Sequence, residues 1–509
     1  MMREKVTARK YVEALKNAGI LIETNVPDLV LDTEIDCLTY DTRKLFGKAI
    51  FIVKGAHFKD EYLKAAMTGG AVLYVADKKH NIDAPHILVS DIRYSLVVLG
   101  MLHYDHITDK LETIGITGTK GKTTTNYYVK EIIDQWQASL SAKPCAILSS
   151  INIYDGKQTL ESLLTTPEVL EIYEHFQNAY DEGLKYMSME VSSQSLKYGR
   201  VRDMKFDVGC FTNIGEDHIS PIEHPNFEDY FASKLKIFDA SKIACVNMNA
   251  DYADKILAYA KGKCENVITF GFDESCTIYC DAYTKKADGI YFNVASPKYN
   301  GEFAIGMPGL FNVENALAAI AICMALDVPE EFVKSGLWEA RAEGRMQQFE
   351  SEDKRVVVIV DYAHNKMSME ALCSSVKKEY VGKKLITIFG CSGSKALQRR
   401  IDKPAASSKY SDFVYVTEDD TGEEAFEDIT AEIVKHIVCP YEIIENRKEC
   451  IRHAILDEKD SRVICITGKG TETTLKRGTE YFPYESDAVL AEQYIKEYDK
   501  LSAEKYNKI

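Results

Sequence analysis

Apolar runs alternate with helix-period patterns along most of this chain. The runs "ETIGIT" (112–117), "CAILSS" (145–150), "YMSMEV" (186–191), "VGCFTN" (208–213), "IACVNM" (243–248) and "VITFGF" (267–272) are near-continuous hydrophobic stretches. That is the pattern of strands buried on both faces of a largely parallel sheet covered by helices. A second such set follows in "VVVIVDYAH" (356–364), "LITIFGC" (385–391), "FVYVTEDD" (413–420) and "VICITGKG" (463–470). Ahead of both, "AIFIV", "AVLYVA" and "HILVS" are shorter β-like runs separated by turn residues, which predict a small α/β domain. The first twenty residues read as a short amphipathic helix.

A chain of 509 residues is too long for one core, and about three domains is the natural division. The fold class is therefore α/β in three domains, spanning 1–110, 111–341 and 342–509. The middle one is expected to be a mostly parallel sheet and the last a Rossmann-like one. The net charge of -16 argues against a nucleic-acid surface. No run reaches the length of a membrane span. The 13 cysteines are scattered without a C-x-x-C pair, and Cys276 and Cys280 fall in a stretch that reads as irregular. Free thiols in a reducing compartment follow, so the expected location is cytoplasmic.

Polar motifs come directly after the apolar runs, at the expected carboxyl ends of strands. Lys122, Glu190, Asn213 and Asn249 do so in the middle set, and Asp361, Cys391, Asp419 and Lys469 in the last. Open α/β sheets bind ligands along that edge, so two half-sites are expected to face each other. "GTKGKTTT" (118–125) is a phosphate cradle. Gly118 and Gly121 free backbone N–H groups for phosphate oxygens, and Lys122 can reach the outer phosphates. The Thr123 or Thr124 hydroxyl can ligate magnesium. The spacing departs from the common G-x-x-x-x-G-K-[ST] loop, because Ile116 stands five residues before Gly121. Glu190 in "MEVSS", His218 in "FTNIGEDH" and Lys234 in "FEDYFASKLKIF" are further candidates. Each alone reads equally as a strand-end acid, an exposed loop residue or a surface lysine.

Taken in order, "GTKGKTTT", "TTPE" (165–168), "MEVSSQ", "FTNIGEDH", the lysine of "YFASKLKIF", "GLFNVENALAA" (309–319) and "DYAHN" (361–365) resemble the Mur ligase family. Within it the chain is similar to the MurE-type branch, which adds the third residue of the peptidoglycan stem peptide. The resemblance runs from "YDTR" near residue 40 to "GKGTE" at 468–472. It implies a cytoplasmic ATP- and Mg²⁺-dependent ligase of cell-wall synthesis, serving cell shape and division. Such an enzyme joins a diamino acid to UDP-N-acetylmuramoyl-L-alanyl-D-glutamate through an acyl phosphate. A monomer is the expected state.

The resemblance implies roles residue by residue. ATP would meet Gly118, Thr119, Lys120, Gly121, Lys122, Thr123 and Thr124, with Asn312 and Asn315 near the adenine and Arg345 and Asp361 reaching in from the last domain. His364 would shape that loop. Lys122, Glu190, His218 and Lys234 would be catalytic, and Thr123, Glu190, His218 and Lys234 would hold the metal. Lys234 matches the lysine that these ligases carry as a carbamate formed with CO₂. An ammonium would repel Mg²⁺, whereas a carbamate offers it a hard oxygen. Thr42, Thr165, Thr166, Ser192 and Arg200 match contacts to the UDP substrate, implying that 1–110 binds it.

Departures fall at the amino-acid end. Diaminopimelate-adding members carry D-N-P-R, whose arginine can pair with the distal carboxylate. Here the segment reads "DDTG", Asp419 to Gly422. The family's G-D-R-D reads "GSKA", leaving Lys395 in place of an arginine, with Arg399 and Arg400 nearby to take over. Lys395, Arg400, Asp419, Asp420 and Glu472 are the expected amino-acid contacts. The run "EDDTGEE" (418–424) has five acids and no base, which favours a distal ammonium, as in L-lysine, over meso-diaminopimelate. Two other readings stay open. One is a Mur-like ligase with another acceptor, of the folylpolyglutamate or cyanophycin type. The other is a nucleotide-binding module without catalysis, against which the joint presence of Lys122, Glu190, His218 and Lys234 argues.

Overall fold

A computed structural model describes residues 6–55, 58–217, 219–220, 223–286, 288–393, 397–457 and 460–506. Three large sheets follow one another along the chain. The first has five strands, ordered Leu21–Thr24, His86–Val89, Ala71–Ala76, Ala49–Ile52 and Cys37–Thr39. Only its outer strand Leu21–Thr24 is antiparallel. The amphipathic N-terminal helix, Ala8–Asn17, buries Ala8, Tyr11 and Leu15.

The middle sheet has eleven strands. Its parallel centre comprises Ala146–Leu148, Tyr186–Glu190, Glu112–Thr117, Phe206–Phe211, Ser241–Asn247, Asn266–Gly271 and the start of Ile278–Lys285. These central strands are apolar on both faces because both are covered. One face, with Ile114, Ile116, Val208 and Phe270, packs on the helices Lys122–Ser139, Asn312–Ala325 and Glu330–Glu339. The other, with Met187, Met189, Phe206 and Val246, packs on Val169–Asp181 and Phe227–Leu235 and continues into the core of the N-terminal sheet. Each such large side chain contributes about 1.5–3 kcal/mol by leaving water.

At both edges the sheet turns antiparallel, through Asn152–Tyr154 and Thr159–Glu161 on one side and Ile290–Ala295 and Gly301–Ile305 on the other. The stretch around Cys276 and Cys280 is thus not irregular throughout. Cys280 sits in the strand Ile278–Lys285. That strand exposes much of its second half, so its polar side chains hid it among loop-like sequence.

The third sheet is ordered Gln347–Glu350, Val356–Asp361, Arg462–Thr467, Lys384–Phe389, Phe413–Val416 and Tyr441–Ile443. It is parallel except for the first strand. All 13 cysteines are free thiols, most of them buried. No described helix is long and apolar enough to cross a membrane.

Candidate active site

The carboxyl edges of the second and third sheets face one cleft of about 710 Å³. The phosphate loop forms its floor. Strand Glu112–Thr117 ends at Gly118, and the helix Lys122–Ser139 begins at Gly121, whose φ of 82° suits glycine. A Cβ at Gly121 would stand 2.1 Å from the Asn315 Oδ1, so the loop packs too tightly there for any side chain. Asn213 clamps it, accepting from the Lys120 N–H at 2.8 Å and donating to the Lys120 carbonyl at 3.0 Å.

Two lysines converge behind this loop on one backbone carbonyl. Lys122 Nζ donates to the Gly118 carbonyl at 2.9 Å, and Lys234 Nζ donates to the same oxygen at 2.8 Å. Lys234 is buried, and its ammonium also sits 4.8 Å from the centre of the Tyr230 ring. Burial, then the charge of Lys122, pushes its pKa well below the ordinary lysine value. Burial likewise lowers Lys122. Like charges this close disfavour the doubly protonated state, so the pair is built to receive anions or to lose a proton.

Beside them stands an oxygen-rich corner. Glu190 ends its strand buried, accepting from the Thr123 hydroxyl at 3.1 Å and from the Ser150 N–H at 2.8 Å. Arg345, from beyond the second sheet, donates to both the Thr123 and Ser150 hydroxyls at 3.3 Å. Ser150 was not singled out in the sequence, although it too follows an apolar run, "CAILSS". Thr123, Ser150 and Glu190 offer hard oxygen donors of the kind Mg²⁺ takes. Among the described residues no cluster of three His, Cys, Asp or Glu could hold a metal alone. His218 lies outside the described residues. A metal here would draw its remaining ligands from outside Thr123, Ser150 and Glu190.

Across the cleft, Asp361 ends strand Val356–Asp361 and accepts the backbone N–H groups of Met346 and Ala363 at 2.9 and 2.8 Å. Burial raises its pKa. Arg345 lies over the Tyr362 ring. Asp217 joins the two sheets, taking Arg399 at 3.3 Å and Asn365, with Lys120 Nζ at 3.7 Å. Burial lowers Lys120 to about 7 in spite of Asp217, and burial together with Lys120 and Arg399 holds His364 well below the usual imidazole range. His364 gives its Nδ1 to the Tyr362 carbonyl at 2.8 Å.

The far end of the cleft carries Asp419, Asp420 and Glu472, the last two sharing one cation. Lys469 Nζ is 2.9 Å from Asp420 and 2.7 Å from Glu472, and the Tyr362 hydroxyl donates to Glu472 at 2.9 Å. Asp419 is held low despite its burial by Lys469 and Lys403. The acidic run 418–424 is not a uniform rim. Glu418 is taken by Arg477 at 2.7 Å and Glu424 by Arg400 at 2.6 Å, so only Asp419 and Asp420 of the five face the cleft.

Arg400 needs a correction for the same reason. Its side chain is 2% exposed and locked between Glu424 and Glu432, while its neighbour Arg399 lines the cleft. Among the described residues the buried Arg399 Nε has no partner. Lys395 lies outside the described residues. Asn312 stands behind the cleft, donating to the Pro308 carbonyl and accepting from Asn315, which does line it.

A smaller cavity of about 140 Å³ adjoins the cleft and shares Lys122, Leu164 and Thr165 with it. Thr166, Ser192, Arg200 and Lys234 line it. Arg200 pairs with Glu168 at 2.7 Å, and Lys54 of the first sheet reaches the same carboxylate. Thr42 opens the turn Thr42–Lys44 on that first sheet, away from both cavities.

The Mur ligase middle domain matches residues 116–323, and the Mur ligase glutamate ligase domain matches residues 344–470. The UDP-N-acetylmuramoyl-L-alanyl-D-glutamate–L-lysine ligase of Enterococcus faecalis is 35% identical over 477 residues, 92% of this chain and 93% of that one. This chain belongs to the Mur ligase family. The Streptococcus pyogenes ligase of the same name is 34% identical over 460 residues, covering 90% and 92% of the two chains. A solved UDP-N-acetylmuramoyl-L-alanyl-D-glutamate–2,6-diaminopimelate ligase superposes with a TM-score of 0.66 at 21% identity, covering 98% of this chain and all of that one. At that identity the likeness speaks for the Mur ligase fold alone. Mur ligases are ATP-dependent and use Mg²⁺, and the glycine-tight loop and oxygen corner of this one suit both.

Proposed function

We propose that this Mur ligase joins L-lysine, in preference to meso-diaminopimelate, to UDP-N-acetylmuramoyl-L-alanyl-D-glutamate through an acyl phosphate, as a step of cytoplasmic peptidoglycan-precursor synthesis. The observation that carries the reading is near full-length similarity to the enterococcal lysine ligase. The acidic far end of the cleft, with Asp419, Asp420 and Glu472, supports it from the chain's own residues.

In this reading Lys122, Lys120 and the loop N–H groups from Gly118 to Thr124 bind the ATP phosphates, and Asn315, braced by Asn312, faces the base. Arg345 and Asp361 close on the nucleotide from the third sheet. Thr123, Glu190, His218 and a carbamate on Lys234 hold Mg²⁺, which when bound supplies charge neutralisation for the crowded phosphate and carboxylate oxygens. The carbamate accounts for a buried lysine whose ammonium is opposed by burial and by Lys122 more than the charge of Asp217 supports it. Thr165, Thr166, Ser192 and Arg200 hold the peptide end of the UDP substrate, with Thr42 and residues 1–110 toward its uridine end. Arg399 takes the α-carboxylate of the incoming amino acid. Glu472 and Asp420 take its distal ammonium beside Lys469. Excluding water from the cleft protects the acyl phosphate until the amine attacks.

The test is mass spectrometry of the product formed from UDP-N-acetylmuramoyl-L-alanyl-D-glutamate and ATP with equal L-lysine and meso-diaminopimelate. A lysyl product dominating is expected. ATP turnover that ignores both the UDP substrate and the amine would overturn the reading.

A further inference from the structure

The smaller cavity holds three linked side chains to which the ligation reading gives no role. Ser193 begins the short helix Ser193–Lys197, and its Oγ lies 3.1 Å from Nε2 of His224. Nδ1 of the same ring lies 2.6 Å from Oδ2 of Asp229, which also takes the Lys197 ammonium at 2.7 Å. Ser193 and His224 both line the cavity.

The proton positions follow from the partners. A carboxylate paired to Lys197 can only accept, so Nδ1 carries the ring proton. Lys197, and then the histidine, hold Asp229 below the ordinary carboxylate range, and burial pushes His224 below the ordinary imidazole value. The ring is neutral, and its bare Nε2 accepts the Ser193 O–H. The hydroxyl proton is thus committed, and the oxygen's lone pairs remain.

The neighbouring hydroxyls are partly engaged within the protein and keep further capacity for the substrate. Thr166 donates to the Glu190 carbonyl and accepts the Ser192 N–H, while Ser192 Oγ accepts the Ser195 N–H. Ser193 is therefore a hydroxyl fixed as an acceptor at the wall of a cavity that Lys122, Arg200 and Glu223 also line. That suits an N–H and repels a carboxylate. The cavity opens to the cleft beside Lys122 and Thr165, so a peptide whose carboxylate reaches Lys122 has its last amide a few bonds away, inside it.

We propose that Ser193, oriented by His224 and Asp229, accepts the glutamyl amide N–H of the nucleotide-sugar dipeptide and so aims the side-chain carboxylate at the phosphate loop. This assignment rests on the ligase reading above. Ser193 is the substrate contact; His224 and Asp229 are positioning residues.

The experiment uses the dipeptide substrate and an analogue in which an ester oxygen replaces the glutamyl N–H. The wild-type enzyme should show a KM about three- to tenfold higher for the ester, the range of one neutral hydrogen bond. Ser193→Ala should raise KM for the amide by a similar factor, with kcat and the KM for ATP little altered, and should no longer distinguish amide from ester. Ser193→Thr should restore the preference, and His224→Gln should weaken it with no further loss when combined with Ser193→Ala. A Ser193→Ala enzyme that keeps the wild-type amide preference overturns the assignment while leaving the ligase reading intact. A wild-type enzyme that ligates neither substrate overturns the ligase reading and this assignment with it.

Discussion

On the middle-sheet side of the cleft, Lys122 and Lys234 share one backbone carbonyl, and among the described residues neither comes within ion-pair distance of a carboxylate, although the charge of Asp217 reaches both. On the third-sheet side, Asp420 and Glu472 share one lysine, Lys469, with Asp419 beside them. Both edges are carboxyl ends of parallel strands, and both leave charge incompletely paired, but with opposite sign. A site that must gather ATP and a carboxylate at one end and a diamino acid at the other needs this polarity. Binding then completes each cluster instead of breaking a finished one, and desolvated charges left short of partners give the strongest selection by sign.

The largest effect should come from the cationic side. On the proposed reading Lys234→Ala removes both the amine and the carbamate it would carry, and metal-borne charge stabilisation of several kcal/mol goes with them, so ligation should fall by about a thousandfold or more. Added short-chain carboxylic acids should restore part of the rate, and the intact wild-type protein should carry the mass of one CO₂ when measured without acid. A Lys234→Ala enzyme at full rate would remove the carbamate and shake the comparison. The acidic side comes next. Asp420→Arg should cost L-lysine about a hundredfold in kcat/KM, since like charges in a desolvated pocket cost several kcal/mol, and it should narrow the gap to meso-diaminopimelate. A wild-type kcat/KM already higher for meso-diaminopimelate would sink the charge argument.

Much of this was legible beforehand because buried parallel strands announce themselves. "ETIGIT" and "VICITG" are apolar on both faces, and the polar residues named after such runs in the second and third sheets line the cleft, from Lys122 to Lys469, with the exception of Cys391. The antiparallel edge 278–305 was not, because half-exposed strands there are diluted with polar residues. Charge pairing was harder still to read. "EDDTGEE" looks like one acidic rim, but Arg400 and Arg477, one 24 and one 59 residues away from the acid each pairs with, withdraw Glu424 and Glu418. Sequence spacing carries no trace of either contact. Ser193, His224 and Asp229 were equally silent, being ordinary residues until the fold closes them together.

A smaller effect separates two adjacent arginines. Arg399→Ala should raise KM for the amino acid about tenfold or more, the loss of a charge-assisted hydrogen bond, and leave the melting temperature nearly unchanged. Arg400→Ala should do the reverse. It strands Glu424 and Glu432, costing about 2 kcal/mol, less than a fully buried pair because Glu432 is half exposed to water. Steady-state kinetics alongside thermal melts check both. If Arg400→Ala selectively raised the amino-acid KM in a protein of undiminished stability, the division between cleft-facing and structural arginine would be wrong.

The smallest effect is a proton count. Lys120 sits at about 7 in the free enzyme because burial outweighs Asp217. At pH 8 it is mostly neutral, and the triphosphate is already fully ionised, so anionic oxygens arriving beside Lys120 should draw a proton onto it. Calorimetry of ATP binding in buffers of different ionisation enthalpy should therefore show uptake approaching about one proton at pH 8, fading toward pH 6 where the lysine is already charged. Lys120→Met should abolish it. The same depressed value has a sign for stability. The unfolded chain binds more protons between the folded pKa near 7 and the ordinary lysine value, so the stability of the free protein contributed by this group rises with pH across that window and is lost below it. Melting curves of the wild type should show that rise and those of Lys120→Met should lack it. Proton release in place of uptake would mean that the phosphate end of the cleft is held fully charged before ATP arrives, which would undo the account of how its cations differ from the half-paired acids opposite.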